Sequence, residues 1–129
     1  MSAVVLDASA LLAMLKLEPG GGRVAEVIGE ARMSAVNYAE VVSYFVHAGT
    51  APEAVEAILN PLPLEILPAD LELAKLAGAL RAATADQGLS LGDRFCLAEA
   101  IRSGLPAWTA DRAWSAVAER VGVEVVLIR

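Results

Sequence analysis

The sequence predicts an α/β fold: a three-layer α/β/α domain built on a short, mainly parallel sheet. Three observations predict it. Strand-like and helix-like segments alternate almost throughout. The strand segments are short and near-continuously apolar, as in parallel sheets covered on both faces. The chain has 129 residues, one domain's length, enough to bury a core without disulfides or a structural metal.

The elements follow in order. A first strand spans 3–6 and a helix spans 8–17, with Leu11, Leu12 and Leu15 at helical spacing. The run Glu18-Pro19-Gly20-Gly21-Gly22 breaks that helix and reads as a flexible joint. It is no phosphate loop, because the Lys and Ser/Thr of that pattern are missing. A helix over 23–31 leads to a second strand over 32–36. The next helix, 38–48, ends at Gly49, and Pro52 sits in the first turn of a helix over 52–60. A third strand lies within 61–68, between prolines. A long helix rich in Ala and Leu covers 70–86 and ends at Gly88. Ser90 opens a helix to 103, closed by Gly104. The fourth strand is 106–110, a helix covers 111–120, and after Gly122 the last strand is 124–128. No repeat, linker or low-complexity segment interrupts the series, so residues 1–129 read as one domain.

Composition narrows the class. The chain is 57% hydrophobic, above the usual globular share, and the excess predicts a covered subunit or partner surface. The longest stretch without Asp, Glu, Lys or Arg is residues 41–52, well short of the roughly 18 apolar residues of a membrane span. The N-terminus has neither the basic start nor the cleavage site of a signal peptide. The single Cys96 excludes an internal disulfide and a Cys-based zinc site. These features predict a cytoplasmic protein. The net charge of −6 argues against a basic surface that grips nucleic acid by charge alone. A nucleic-acid substrate would need bound divalent cations to offset the repulsion.

Ligands of an open parallel sheet bind beyond the carboxyl ends of its strands. Four acids are predicted there. Asp7 directly follows the first strand, and Glu40 lies a few residues after the second. Asp93 lies in the first turn of the helix leading into the fourth strand, and Asp111 follows that strand. Each has an ordinary explanation. Asp7 can cap the helix that starts at Ala8. Asn37 to Glu40 and Ser90 to Asp93 both fit a capping residue with an acid three positions later. Asp111 can sit in a first turn capped by Thr109, favoured by the helix dipole.

Two features weigh against four unrelated caps. Asp93 shares a helical face with Cys96, Leu97 and Ala100, an apolar face on which a carboxylate needs a partner. All four acids also fall at one edge, and crowded like charges resist ionisation unless a cation joins them. Hard oxygen donors without His or Cys point to Mg²⁺ or Mn²⁺ rather than zinc. One or two such ions suit hydrolysis of a phosphodiester.

With these residues in place, the sequence resembles the PIN-domain ribonucleases, and more narrowly the VapC-type toxins of toxin–antitoxin pairs. The resemblance rests on "VVLDASALLAML", "SAVNYAEV", "LSLGDRFCLAEA" and "PAWTADRAW" and covers essentially the whole chain. It implies a PIN-like fold and magnesium- or manganese-dependent cleavage of RNA. It implies homodimerisation and inhibition by a small antitoxin. Asp7, Glu40 and Asp93 would be the metal-binding acids and Asp111 a fourth, more variable one, with Ser9 and Thr109 as supporting hydroxyls.

The remaining chemistry-bearing residues read more plainly. Arg94 and Arg112 each follow a candidate acid and are candidates for phosphate contact at the rim, against ordinary solvated arginines. His47 lies seven residues after Glu40, about 10 Å along a helix, and reads as structural or partly exposed. Cys96 reads as core, and Trp114 as packing before base stacking. Tyr38, Tyr44 and Phe45 are expected in helix or subunit interfaces. Two other functions compete. A phospho-receiver module needs an acidic pair after the first strand, an Asp ending the third and a late Lys. Here Asp7 stands alone, the third strand ends in Leu67-Pro68, and no Lys follows Lys75. A protein-binding module whose acids are merely caps predicts no metal binding.

Overall fold

The computed structural model describes residues 3–129. Its strands are β1 (Val4–Leu6), β2 (Ala31–Ser34), β3 (Glu65–Leu67), β4 (Ala107–Thr109) and β5 (Val125–Leu127). They form one sheet in the order β3-β2-β1-β4-β5, every pairing parallel. Val5 stands opposite Arg32 on one side and Ala107 on the other, so β1 is the central strand. All three of its residues are buried. That explains the unbroken apolar run: a strand covered on both faces has no wet side.

Alternate residues feed two cores. Val4, Leu6, Ala31 and Met33 pack with α1 (Ala8–Leu15), α2 (Gly21–Val27), α3 (Ala35–His47) and α4 (Pro52–Leu59), through Leu11, Val24, Val41 and Leu59 among others. Val5 and Ala107 face the other way, onto Cys96, Leu97 and Ala100 of α7 (Leu91–Ser103). Behind α7, Leu73 and Ala77 of α5 (Leu71–Ala79) pack on Phe95 and Ala98. The three layers expected from the sequence are therefore present, with an all-parallel sheet. Buried Glu99 accepts from Arg102 and Ser103, and Arg102 also grips Asp70, the residue that caps α5.

Several boundaries differ from the sequence expectation. The second strand ends at Ser34 and α3 begins at Ala35, because the Ser34 hydroxyl caps the helix by accepting from Val36 N–H at 3.2 Å. The expected helix over 23–31 ends at Val27 and tightens into a 3₁₀ turn, Ile28–Glu30. The long helix over 70–86 divides into α5, α6 (Arg81–Thr84) and a 3₁₀ turn, Ala85–Gln87. Buried Thr84 donates its hydroxyl to the Leu80 carbonyl at 2.9 Å, a back-bond that bends helices. The helix over 111–120 is a 3₁₀ turn, Arg112–Ala116, then α8 (Ala118–Val121). Residues i and i+3 eclipse in a 3₁₀ turn. That spacing carries both Trp114 and Val117, fully buried, into one core.

The glycine-rich run is a packed corner rather than a loose joint. Gly20 has φ +88°, and a Cβ there would meet the Ile128 backbone; a Cβ on Gly21 would meet the Ala13 carbonyl. His47 is exposed in the last turn of α3, and Cys96 and Trp114 are buried, as expected. Among the described residues no helix is long and apolar enough to cross a membrane.

Candidate functional site

Asp7 leaves the end of β1 and caps α1, its Oδ1 accepting from Ala10 N–H at 2.8 Å. The same carboxylate accepts from Ser9 Oγ at 2.8 Å and from Thr109 Oγ1 at 2.6 Å. Both hydroxyls are oriented from β4's exit. Ser9 Oγ accepts from Ala110 N–H at 2.9 Å, and Thr109 Oγ1 from Asp111 N–H at 3.0 Å. The parallel pairing of β1 with β4 makes this possible, since it sets their carboxyl ends side by side. Asp7 is 4% exposed. Burial, aided by the charge of Asp93, raises its carboxyl to about 6 against the hydrogen bonds from Thr109, Ala10 and Ser9.

Glu40 caps nothing. It lies on α3 beyond the first turn, and its Oε1 accepts from Asn37 Nδ2 at 2.8 Å. Asn37 is therefore no N-cap; it is 1% exposed and donates from inside the core, also to the Gly92 carbonyl at 3.0 Å. Partial burial raises the Glu40 carboxyl, the Asn37 bond opposes this, and Asp93 adds to the rise.

Asp93 completes a capping box at the start of α7. Its Oδ2 accepts from Ser90 N–H at 2.9 Å, and Ser90 Oγ accepts from Asp93 N–H at 3.1 Å. It is partly exposed, while Arg94 through Ala100 beyond it are buried, so it sits at the lip of the apolar face. Burial raises its carboxyl, the Ser90 bonds lower it, Asp111 raises it and Arg94 lowers it. Asp111 is exposed and caps the 3₁₀ turn after β4 through Ala113 N–H at 3.0 Å. The cap is Asp111 itself rather than Thr109.

The four acids thus meet electrically at Asp93, whose carboxylate acts on Asp7 and Glu40 and is acted on by Asp111. Beneath them burial pushes the Cys96 thiol well up, and the charges of Asp7, Asp93 and Glu40 add to it. That thiol is no nucleophile.

Arg94 departs from its expected place. It is 7% exposed, not on a rim, and its guanidinium turns into the core to donate to the Ala77 carbonyl at 3.1 Å. A carbonyl in the last turn of α5 is a natural partner for a cation. Arg112 is exposed, one position beyond Asp111. The sequence reading missed the roles of Asn37 and Gly92. A Cβ on Gly92 would fall within 2.6 Å of Glu40 Cδ, so the carboxylate lies against a bare α-carbon. The available signal was Asn37 three residues before Glu40, on the same helical face.

The donor set suits a hard divalent cation. Every donor is a carboxylate oxygen. Among the described residues, Glu40, Asp93 and Asp111 each engage one oxygen in a hydrogen bond and leave the other without one. No three His, Cys, Asp or Glu side chains among the described residues converge tightly enough to cage an ion by themselves. Mg²⁺ does not require such a cage. It is held by one or two carboxylates and completes its octahedron with water and phosphate oxygens.

Among curated proteins no sequence matches the chain. Solved structures share its fold. The DNA-bound VapBC structure from Salmonella typhimurium matches with a TM-score of 0.75 at 22% identity, over 100% of both chains. A toxin–antitoxin complex from Klebsiella pneumoniae matches at 0.72 and 17%, over 98% of each. VapC20 of Mycobacterium tuberculosis, described as a sarcin-ricin loop cleaving toxin, matches at 0.70 and 16%, over 88% of this chain and 93% of that one. At these identities the likeness establishes the fold. The PIN domain family model goes further, matching residues 4–120 and so taking in all four acids, from the end of β1 to the exit of β4; the chain belongs to the PIN domain family.

Proposed function

We propose that the chain is a metal-dependent endoribonuclease, acting as one domain over residues 1–129 and serving as the toxin of a toxin–antitoxin pair. The observation that supports this reading is that Asp7 and Asp111 leave the carboxyl ends of adjacent parallel strands, where such sheets bind ligands, with Asp93 near enough to raise the carboxyls of Asp7 and Glu40. The carboxyls of Asp7, Glu40 and Asp93 are all raised and so costly to charge together, and a divalent cation removes that cost. Membership of the PIN domain family and likeness in fold to toxin–antitoxin structures support it.

In this reading Asp7, Glu40, Asp93 and Asp111 hold Mg²⁺ or Mn²⁺. When bound, the ion supplies Lewis acidity, activating a water and offsetting phosphate charge. The chain's own residues do the positioning. Ser9 and Thr109 fix the Asp7 carboxylate from two sides. Asn37 holds Glu40. Arg112, exposed beside Asp111, meets the RNA backbone as a phosphate contact. The net charge of −6 favours a small antitoxin that presents a basic segment to the acidic edge. The apolar excess fits a homodimer, and the setting is the cytoplasm.

One observation favours a second reading. Asp7, Asp93 and Asp111 do cap helical turns, as acids of an inert protein-binding module would. Glu40 does not fit that account. The experiment is Mn²⁺ titration calorimetry on chelator-treated protein, followed by RNA cleavage in Mn²⁺ with wild type and D93N. Saturable binding and cleavage lost in D93N support the nuclease. No binding heat and no cleavage support the module.

A further inference from the structure

We propose that Asn37 is a positioning residue for Glu40: from inside the core its amide clamps one carboxylate oxygen, and the bare α-carbon of Gly92 provides the socket. The inference rests on the nuclease reading and deepens it by naming how Glu40, the one acid of the four that caps nothing, is aimed.

Three facts carry it. Asn37 Nδ2 faces two acceptors, Glu40 Oε1 at 2.8 Å and the Gly92 carbonyl at 3.0 Å. An amide oxygen in that place would be repelled by both, so the orientation is fixed by chemistry. Among the described residues, buried Asn37 Oδ1 has no hydrogen-bond partner, a configuration that costs stability. Packing alone would be better served by an apolar side chain of similar size. What the polar side chain adds is the grip on Glu40. Gly92 is the third fact. It is buried in the first turn of α7, where a Cβ would displace the whole Glu40 carboxylate. Helical glycine is otherwise unfavourable, so its fitness here lies in the space it leaves.

The geometry also couples two elements. Glu40 rides on α3 and Asp93 on α7, and Asn37 bridges the two helices one residue before Asp93. Fixing Glu40 through Asn37 therefore fixes it relative to Asp93. Groups that orient metal-binding side chains in this way typically change affinity by about 10–100-fold when removed.

The test compares Mn²⁺ dissociation constants by calorimetry, with melting temperatures, for wild type, N37A, G92A, E40Q and N37A/E40Q. N37A is expected to weaken Mn²⁺ binding by about 10–100-fold and to add little on top of E40Q, because it acts through Glu40. G92A is expected to weaken binding comparably without lowering the melting temperature. Alanine suits a helix better than glycine, and the displaced Glu40 end is flexible. Wild-type binding with N37A unaffected, or N37A and E40Q losses that multiply, overturns this inference alone. A wild type that binds no Mn²⁺ overturns the nuclease reading and this inference with it.

Discussion

Thr109 Oγ1 donates a 2.6 Å hydrogen bond to Oδ2 of Asp7, joining the exits of two adjacent parallel strands across 102 positions of sequence. It is the largest influence holding the Asp7 carboxyl down against burial. T109V keeps the shape and deletes the donor. The hydrogen bond is made to a charged group, so its loss is expected to cost about 1.5–3 kcal/mol of stability. The Asp7 carboxyl should move above about 6. Calorimetry across a pH series should then show Mn²⁺ binding shifted to higher pH in T109V. An unshifted profile would remove Thr109 from the site.

Stability without metal should fall as pH rises from about 4 to 6. The Asp7 carboxyl is raised from 3.8 to about 6, so in that window the folded chain holds a proton that the unfolded chain has released. The slope of unfolding free energy with pH is then negative. The contribution is present below 3.8 and is lost through about 6. The shift corresponds to roughly 3 kcal/mol. Glu40 and Asp93 shift in the same direction. Glu18, Asp70 and Asp86 are lowered by Lys16, the Leu73 N–H and Arg120 respectively. Their opposite effect is confined to lower pH and screened by solvent. Urea unfolding in chelator should show the decline for wild type and a flatter curve for D7N. A wild-type curve that rises between pH 4 and 6 would contradict the burial of Asp7.

Much of this was legible in the sequence, because parallel topology ties function to local pattern. Short apolar strands followed by acids mark the carboxyl edge wherever strand and helix alternate, and Asp7, Glu40, Asp93 and Asp111 could be placed there by counting elements. Interactions made by tertiary packing were not legible. Ser34 and Asn37 both suit a helix start, and local pattern favoured Asn37; only the docking of α7 against α3 gives the Asn37 amide its two acceptors. Arg94 reads as a solvated or phosphate-facing cation until α5 covers it. Gly20 reads as flexible until Ile128, just past the last strand, closes over it. In each case the deciding partner is remote in sequence.

Magnesium should raise the melting temperature. A ligand that binds only the folded state at 100 times its dissociation constant adds about 2.7 kcal/mol, on the order of 10 °C for a domain of this size. The gain should shrink at pH 5, where Asp7 is mostly protonated and protons compete with the ion. Differential scanning calorimetry at pH 7.5 and pH 5, with and without Mg²⁺, checks both. A melting point indifferent to millimolar Mg²⁺ at pH 7.5 would count against the acids as ligands.

Arg94 and Arg112 should respond in opposite ways to truncation. Arg94 is 7% exposed, its Nη1 donates to the last turn of α5, and its buried Nε has no partner among the described residues. R94A removes a packed side chain together with a cap on the Ala77 carbonyl, and should destabilise by about 2–4 kcal/mol. Its effect on RNA should follow from the smaller share of folded protein. Arg112 is exposed, so R112A should leave stability within about 0.5 kcal/mol. Removing a cation that neutralises one phosphate weakens RNA binding and flattens its salt dependence by about one ion. Filter binding of catalytically silenced D93N protein to a single-stranded RNA, across a salt series, separates the two. If R112A/D93N keeps the full salt slope while a folded R94A/D93N shows a reduced one, the phosphate is met by Arg94 and its buried placement is wrong.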